Sequence, residues 1–162
     1  MKKILVFILL LIFCLLAGYY FFIYEKPADI NYKDLPKELV SVNYSNFALI
    51  ISQNALIRNL PEDSSLLLRF YNFNSGSREW EKAFSLKRGN VVEIINPESI
   101  NPDIIILVHS KYLNELNSVN FCQIIEKANS AGDLGFESQL SDAKLLWKFK
   151  SMLSYRKCLG SS

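Results

Sequence analysis

From Ile4 to Tyr24 the chain runs 21 residues without a charge or a proline, and with Gly18 as its one glycine. A helix of that length rises about 30 Å, the thickness of the hydrocarbon core of a bilayer. Lys2 and Lys3 precede the run and hold the N-terminus on the cytoplasmic side, while Tyr19, Tyr20 and Tyr24 cluster at its far end, where amphipathic rings favour the interface. The pattern predicts an uncleaved transmembrane helix in the cell membrane, single-pass, with the remaining chain outside. A cleaved signal peptide would have a shorter core and a small-residue exit, whereas Leu16-Ala17-Gly18 leads into more aromatics. Lipidation at Cys14 would need a small residue beside it, and Leu11, Ile12 and Phe13 stand there instead.

Beyond Tyr24 the periodicity changes. Glu25 to Pro36, bounded by prolines, reads as a juxtamembrane linker of about 12 residues, able to reach about 40 Å. The organisation expected is an anchor over 1–24, a linker over 25–40 and a folded domain over 41–158. Phe47, Ile50, Ile51, Leu56, Ile57 and Leu60 stand mostly at helical spacing, predicting a helix over 45–59 with Ser45 as cap and Pro61 as stop. The run Phe47 to Ile51 also suits a strand. Leu66 to Phe73 reads as a strand, and Asn74-Ser75-Gly76-Ser77 as a turn. Trp80, Phe84 and Leu86 then share one face against Glu79, Glu81, Ser85 and Lys87 on the other, the period of a half-buried antiparallel strand. Arg88-Gly89-Asn90 turns the chain into a third strand, Val91 to Ile95. Ile104 to Val108, apolar throughout, suits a central strand.

The C-terminal part is helical apart from one strand. Ser110 can cap a short helix carrying Leu113 and Leu116, and Phe121, Ile124, Ile125 and Ala128 form one helical stripe. Leu134 to Ser138 is a short strand. Ser141 can cap a last helix in which Leu145, Leu146, Phe149, Met152 and Leu153 recur at helical spacing.

Composition narrows the function. Half of the 162 residues are hydrophobic and 21% are charged, which excludes a disordered chain. Of 18 basic residues two precede the apolar run, leaving 16 against 16 acidic ones, so no electrostatic footprint for nucleic acid exists. No C-x-x-C and no His/Cys cluster occurs, so no metal is expected, and no cofactor motif is present. Outside the apolar run, Cys122 and Cys158 are free to pair in an oxidising compartment. Asn43-Tyr44-Ser45 is a formal glycosylation sequon. His109 is the one histidine, Glu79 and Glu81 sit on a polar strand face, and Gly132 and Gly135 lack the lysine and preceding strand of a phosphate loop. No catalytic residue is expected.

From Leu66 to Leu153 the chain resembles the sterol carrier protein 2 (SCP-2) lipid-binding domain. The residues that carry the resemblance are Asn101-Pro102-Asp103-Ile104-Ile105-Ile106 with Ser110-Lys111-Tyr112-Leu113, and Ala131-Gly132-Asp133-Leu134-Gly135-Phe136-Glu137-Ser138 with Ala143-Lys144-Leu145-Leu146. Ser138 stands where that family has a second glycine, and 116–121 lacks its Gly-Lys-Leu. The resemblance implies an α+β fold, a five-stranded mainly antiparallel sheet with helices packed on one face, enclosing an apolar tunnel for sterols, fatty acids or other lipids. The ligand-binding wall it suggests is Leu68, Phe70, Ile105, Leu107, Phe121, Ile125, Leu134, Phe136, Leu140, Leu145, Leu146 and Phe149. Each of these also suits an ordinary core. Trp147 lies opposite the last apolar stripe beside Lys144, Lys148 and Lys150, and Arg156 and Lys157 extend that basic end. A Trp on a basic helix face suits a membrane surface, and equally a solvated face with the Trp packed on the hairpin. The function expected is non-catalytic, membrane-anchored binding of a hydrophobic small molecule for local presentation or transfer. The alternative is a tethered adapter for another protein, its partner unknown.

Overall fold

The computed structural model describes residues 41–155. The expected anchor over 1–24 and linker over 25–40 lie outside them, as do Arg156, Lys157 and Cys158. Among the described residues no helix is long and apolar enough to cross a membrane.

Five strands form one sheet: β1 Leu66–Asn72, β2 Glu79–Lys87, β3 Asn90–Ile94, β4 Ile104–His109 and β5 Leu134–Ser138, in the order β3-β2-β1-β4-β5. The first three make the meander expected from their turn residues, with Gly76 and Gly89 at positive φ where the chain reverses. The chain then passes to the other side of β1, where β4 runs parallel to it, and β5 closes that edge antiparallel. Three pairings are antiparallel and one parallel, so the sheet is mixed and the architecture α+β.

The register sorts the apolar residues onto two faces. Leu66, Leu68 and Phe70 share a face with Phe84 and Leu86 of β2 and with Ile104, Ile106 and Val108 of β4, all of them buried. Phe47 seats on this face, 5.3 Å from the Phe70 ring and 4.5 Å from the Phe84 ring, with Tyr44 edge-on to Phe70 at 5.4 Å. Phe47 belongs to α1, Phe47–Ser52, which is followed by α2, Ala55–Arg58. The single helix expected over 45–59 is therefore two. Asn54 divides them because its side chain accepts from the Leu56 amide, which starts a new helix instead of extending the old one.

Trp80 departs from the sequence expectation. Between Arg69 and Tyr71 the β1–β2 register shifts, β2 spending three residues where β1 spends two. Each extra residue reverses side-chain parity. Trp80 thus lands beside Tyr71 on the face opposite Phe84 and Leu86, 45% exposed, with the Arg69 guanidinium 4.1 Å above its ring.

The remaining elements are 3-10 turns at Pro97–Ser99 and Ser110–Glu115, α3 at Phe121–Ser130, α4 at Asp142–Lys148 and a third 3-10 segment at Lys150–Tyr155. In α3 the predicted stripe of Phe121, Ile124, Ile125 and Ala128 is the buried one. Cys122 is disulfide-bonded; Cys158, with which the sequence allows it to pair, lies outside the described residues. The last helix is shorter than its periodicity suggests. It ends at Lys148, and the tighter winding that follows turns Phe149, Met152 and Tyr155 inward at intervals of three. Leu146 and Leu153, assigned to the apolar stripe from sequence, are 55% and 43% exposed.

Candidate functional site

The site is built around Asp103, the residue before β4. Its backbone N–H donates to the Ser65 carbonyl at 2.8 Å, and its carboxylate accepts from the Ser65 amide at 2.8 Å, which locks the starts of β1 and β4 together. The same carboxylate pairs with Lys148 of α4 at 2.9 Å, and Asp63 stands 3.7 Å from that ammonium. Ser138, at the end of β5, donates its hydroxyl to the Asp103 carbonyl at 3.0 Å and accepts from the Leu140 amide at 3.1 Å. A glycine at 138 could make neither bond, so the departure from the SCP-2 pattern has a use: it fixes the bend that presents Leu140.

Between this bend, α4 and the loop bearing Asp63 lies an open groove of about 590 Å³ lined by Asp63, Leu140, Ala143, Lys144, Trp147 and Lys148. Its lining combines apolar groups, Leu140, Ala143 and the indole of Trp147, with charged ones, among them Lys148, which pairs with Asp103 and stands 3.7 Å from Asp63. Volumes of this order accommodate small ligands. Among the described residues Lys144 has no acidic partner. The arrangement can hold a molecule with an apolar body and an anionic or polar end.

The twelve residues expected to form one pocket wall do not share one surface. By register Leu68, Phe70, Leu134 and Phe136 occupy one sheet face, and Ile105 and Leu107 the other. The reason is strand alternation: neighbours in β4 with equal hydrophobicity still point to opposite sides. Leu68, Phe70, Leu107, Phe121, Ile125 and Phe149 are buried, Ile105, Leu134, Leu140 and Leu145 are half-buried, and Phe136 and Leu146 are exposed. Of the twelve, Leu140 alone lines the groove, in company with three of the four residues assigned to a membrane surface, Lys144, Trp147 and Lys148. Lys150 sits with its ammonium 5.1 Å from the Trp147 ring. Lys148 is half-buried and is engaged by Asp103 and Asp63.

No protein-family model matches the chain, and no curated protein matches it in sequence. Among solved structures it is similar to the UbiJ-SCP2 ubiquinone synthesis protein, at 9% identity over 68% of this chain and 86% of that one, TM-score 0.36. Sterol carrier protein 2 from Yarrowia lipolytica, in its apo form, aligns at 10% identity over 70% of this chain and 80% of its own, TM-score 0.32. The MycE methyltransferase of the mycinamycin biosynthetic pathway aligns at 10% identity over 72% of this chain and 33% of its own, TM-score 0.30. Two of the three bear the SCP2 name. The likeness concerns fold alone.

A second polar cluster occupies the opposite ends of β1 and β4. The bulge that turns Trp80 outward carries Glu81 to Tyr44, Asn72 and Ser110, all of which donate to its carboxylate. Burial opposes the charge on Glu81, but these three donors outweigh it and hold the carboxyl below its usual range. Burial, reinforced by the bond to Glu81, pushes the Tyr44 hydroxyl up. Alongside, Asp133 accepts from Lys111 at 2.7 Å and from Tyr112 at 2.8 Å, contacts that lower its carboxyl in that order of importance. His109 begins the 3-10 turn, its Nδ1 accepting from the Lys111 amide at 3.1 Å. Among the described residues no three His, Cys, Asp or Glu side chains gather as a metal site would require. Glu81 is exposed, as a place on the polar strand face predicts, and the bulge, which leaves no mark in composition, also brings three donors to its carboxylate.

Because the folded Glu81 carboxyl titrates below its unfolded value, the clamp stabilises the fold above the ordinary glutamate pKa of about 4.3 and fades as pH falls through the lowered one. Glu81→Gln should lose about 1 kcal/mol near neutrality, a value kept small by the exposure of the residue. Urea midpoints of the two proteins should converge on acidification. A gap that stays constant with pH would contradict the clamp.

Proposed function

We propose that the chain binds a hydrophobic, lipid-like ligand in the groove beside α4 and holds it for presentation next to a membrane. The observation that carries this reading is the mixed lining of the groove, in which Leu140, Ala143 and Trp147 stand together with Lys144, Lys148 and Asp63. Lys148, the other lysine of the lining, is already paired with Asp103 at 2.9 Å and stands 3.7 Å from Asp63. Each Å² of acyl or ring surface covered there would contribute about 25 cal/mol before entropic losses. The SCP-2 resemblance in sequence supports the same ligand class and extends it to sterols and fatty acids. The apolar run at 4–24 supports anchoring, with the domain outside and the short linker favouring local transfer over shuttling. On this reading the cycle involves no covalent step, and the protein is not an enzyme.

The test is binding of a fluorescent fatty acid to the delipidated full chain. Ala143→Phe, which fills the groove from an exposed helix position, should weaken binding at least about tenfold, the effect of about 1.4 kcal/mol, with an unchanged melting temperature. Equal affinity in the two proteins would remove the groove as the site. The adapter reading draws on a different observation, the exposed Trp80 and Phe73 with Arg78 lying 4.6 Å over Tyr71. That patch predicts a protein partner whose binding is lost in Trp80→Ala and is indifferent to Ala143→Phe.

A further inference from the structure

The C-terminal segment divides cleanly. Phe149 and Met152 are buried and Leu145 half-buried, while Lys148 turns inward to Asp103. On the other side Trp147 is 76% exposed, and Leu146 and Leu153 stand out with it. Lys150 lies against the Trp147 ring, and Lys144 stands one turn earlier. Among the described residues neither Lys144 nor Lys150 has an acidic partner, and no acidic residue occurs between Ala143 and Tyr155.

We propose that this outward face docks on an anionic lipid bilayer, with Lys144 and Lys150 at the headgroups and Leu146, Trp147 and Leu153 inserted among the upper acyl carbons. A lone exposed tryptophan would not require this. Three large apolar side chains on a short segment, framed by two unpaired cations, match an interfacial element in both of its requirements, buried apolar area and attraction to anionic headgroups. The charge selects the occupant: a neutral apolar partner would leave both lysines unused, and an acidic bilayer satisfies both. Lys144 and Trp147 also line the groove, so docking would set its mouth against the headgroups; that consequence, unlike docking itself, rests on the ligand reading above.

The experiment uses the full chain reconstituted into phosphatidylcholine vesicles with or without phosphatidylglycerol, on a Trp80→Phe background that leaves Trp147 as the sole tryptophan. With the anionic lipid, Trp147 should be shielded from iodide and quenched by brominated acyl chains, and concentrated salt should reverse both effects. Lys144→Gln with Lys150→Gln, both at exposed positions, should lower the ratio of docked to undocked protein roughly 30-fold, about fivefold for each lysine. Iodide access that is the same in both vesicle types overturns the proposal. The fatty-acid assay separates the two readings: a chain that binds ligand but never shields Trp147 sinks docking alone, and one that docks but binds no ligand sinks the groove alone.

Discussion

Phe70→Ala should destabilise the protein by about 3–5 kcal/mol, the largest effect expected of any single replacement in the described residues. Phe70 sits on β1, the middle strand of the sheet, with no exposed surface. Its ring meets Tyr44, Phe47 and Phe84, each in an edge-on arrangement. Truncation removes the ring from all three at once, and the sheet below cannot close the gap because β2 and β4 hold β1 in register on both sides. The comparison is Phe136→Ala. Phe136 lies on the same face but on the edge strand β5 and is exposed, so its loss should cost less than about 1 kcal/mol. Urea denaturation at constant m-value decides the matter. Equal losses at the two positions would mean that the core is not centred where the aromatic rings meet.

Asp103→Ala should cost about 2–3 kcal/mol, because two different contacts fail together. The Ser65 amide loses its acceptor, and Lys148 loses the nearer of its two carboxylates. Lys148→Met keeps the aliphatic stem and should cost about 1 kcal/mol. A double-mutant cycle across Asp103 and Lys148 should return a coupling of about 1 kcal/mol or more, whereas an exposed ion pair would give much less. Asp103→Asn, which still accepts from Ser65, should fall between the two single losses. A coupling near zero would show that α4 is held by packing alone.

The fold was largely readable from the chain because its strands obey simple periodicity. Leu66 to Asn72 and, apart from the facing of Trp80, Glu79 to Lys87 fall as strands where the pattern predicts them, as do β4 and β5. What was not readable has physical causes. The side taken by Trp80 depends on one extra residue in β2, and a bulge has no composition of its own. The split at Asn54 depends on a side-chain cap competing with helix continuation. In the C-terminal segment, Leu145, Leu146, Phe149, Met152 and Leu153 fit a period of 3.6, but the backbone tightens after Lys148 and selects Phe149, Met152 and Tyr155 instead. The groove was hidden for another reason. Asp103 and Lys148 lie 45 residues apart, and no spacing rule links a loop carboxylate to a helix lysine at that separation.

The division of the N-terminal helical layer bears on the order in which the molecule assembles. Segments of six and four residues are far below the length at which a helix persists by itself in water. Each owes its existence to side chains such as Phe47 and Leu56 finding a surface already made. That surface is the sheet, whose central parallel pair, β1 and β4, closes a long loop before it earns any contact. Loop closure then predicts that the meeting of those two strands limits the folding rate and that the two helical turns condense afterwards.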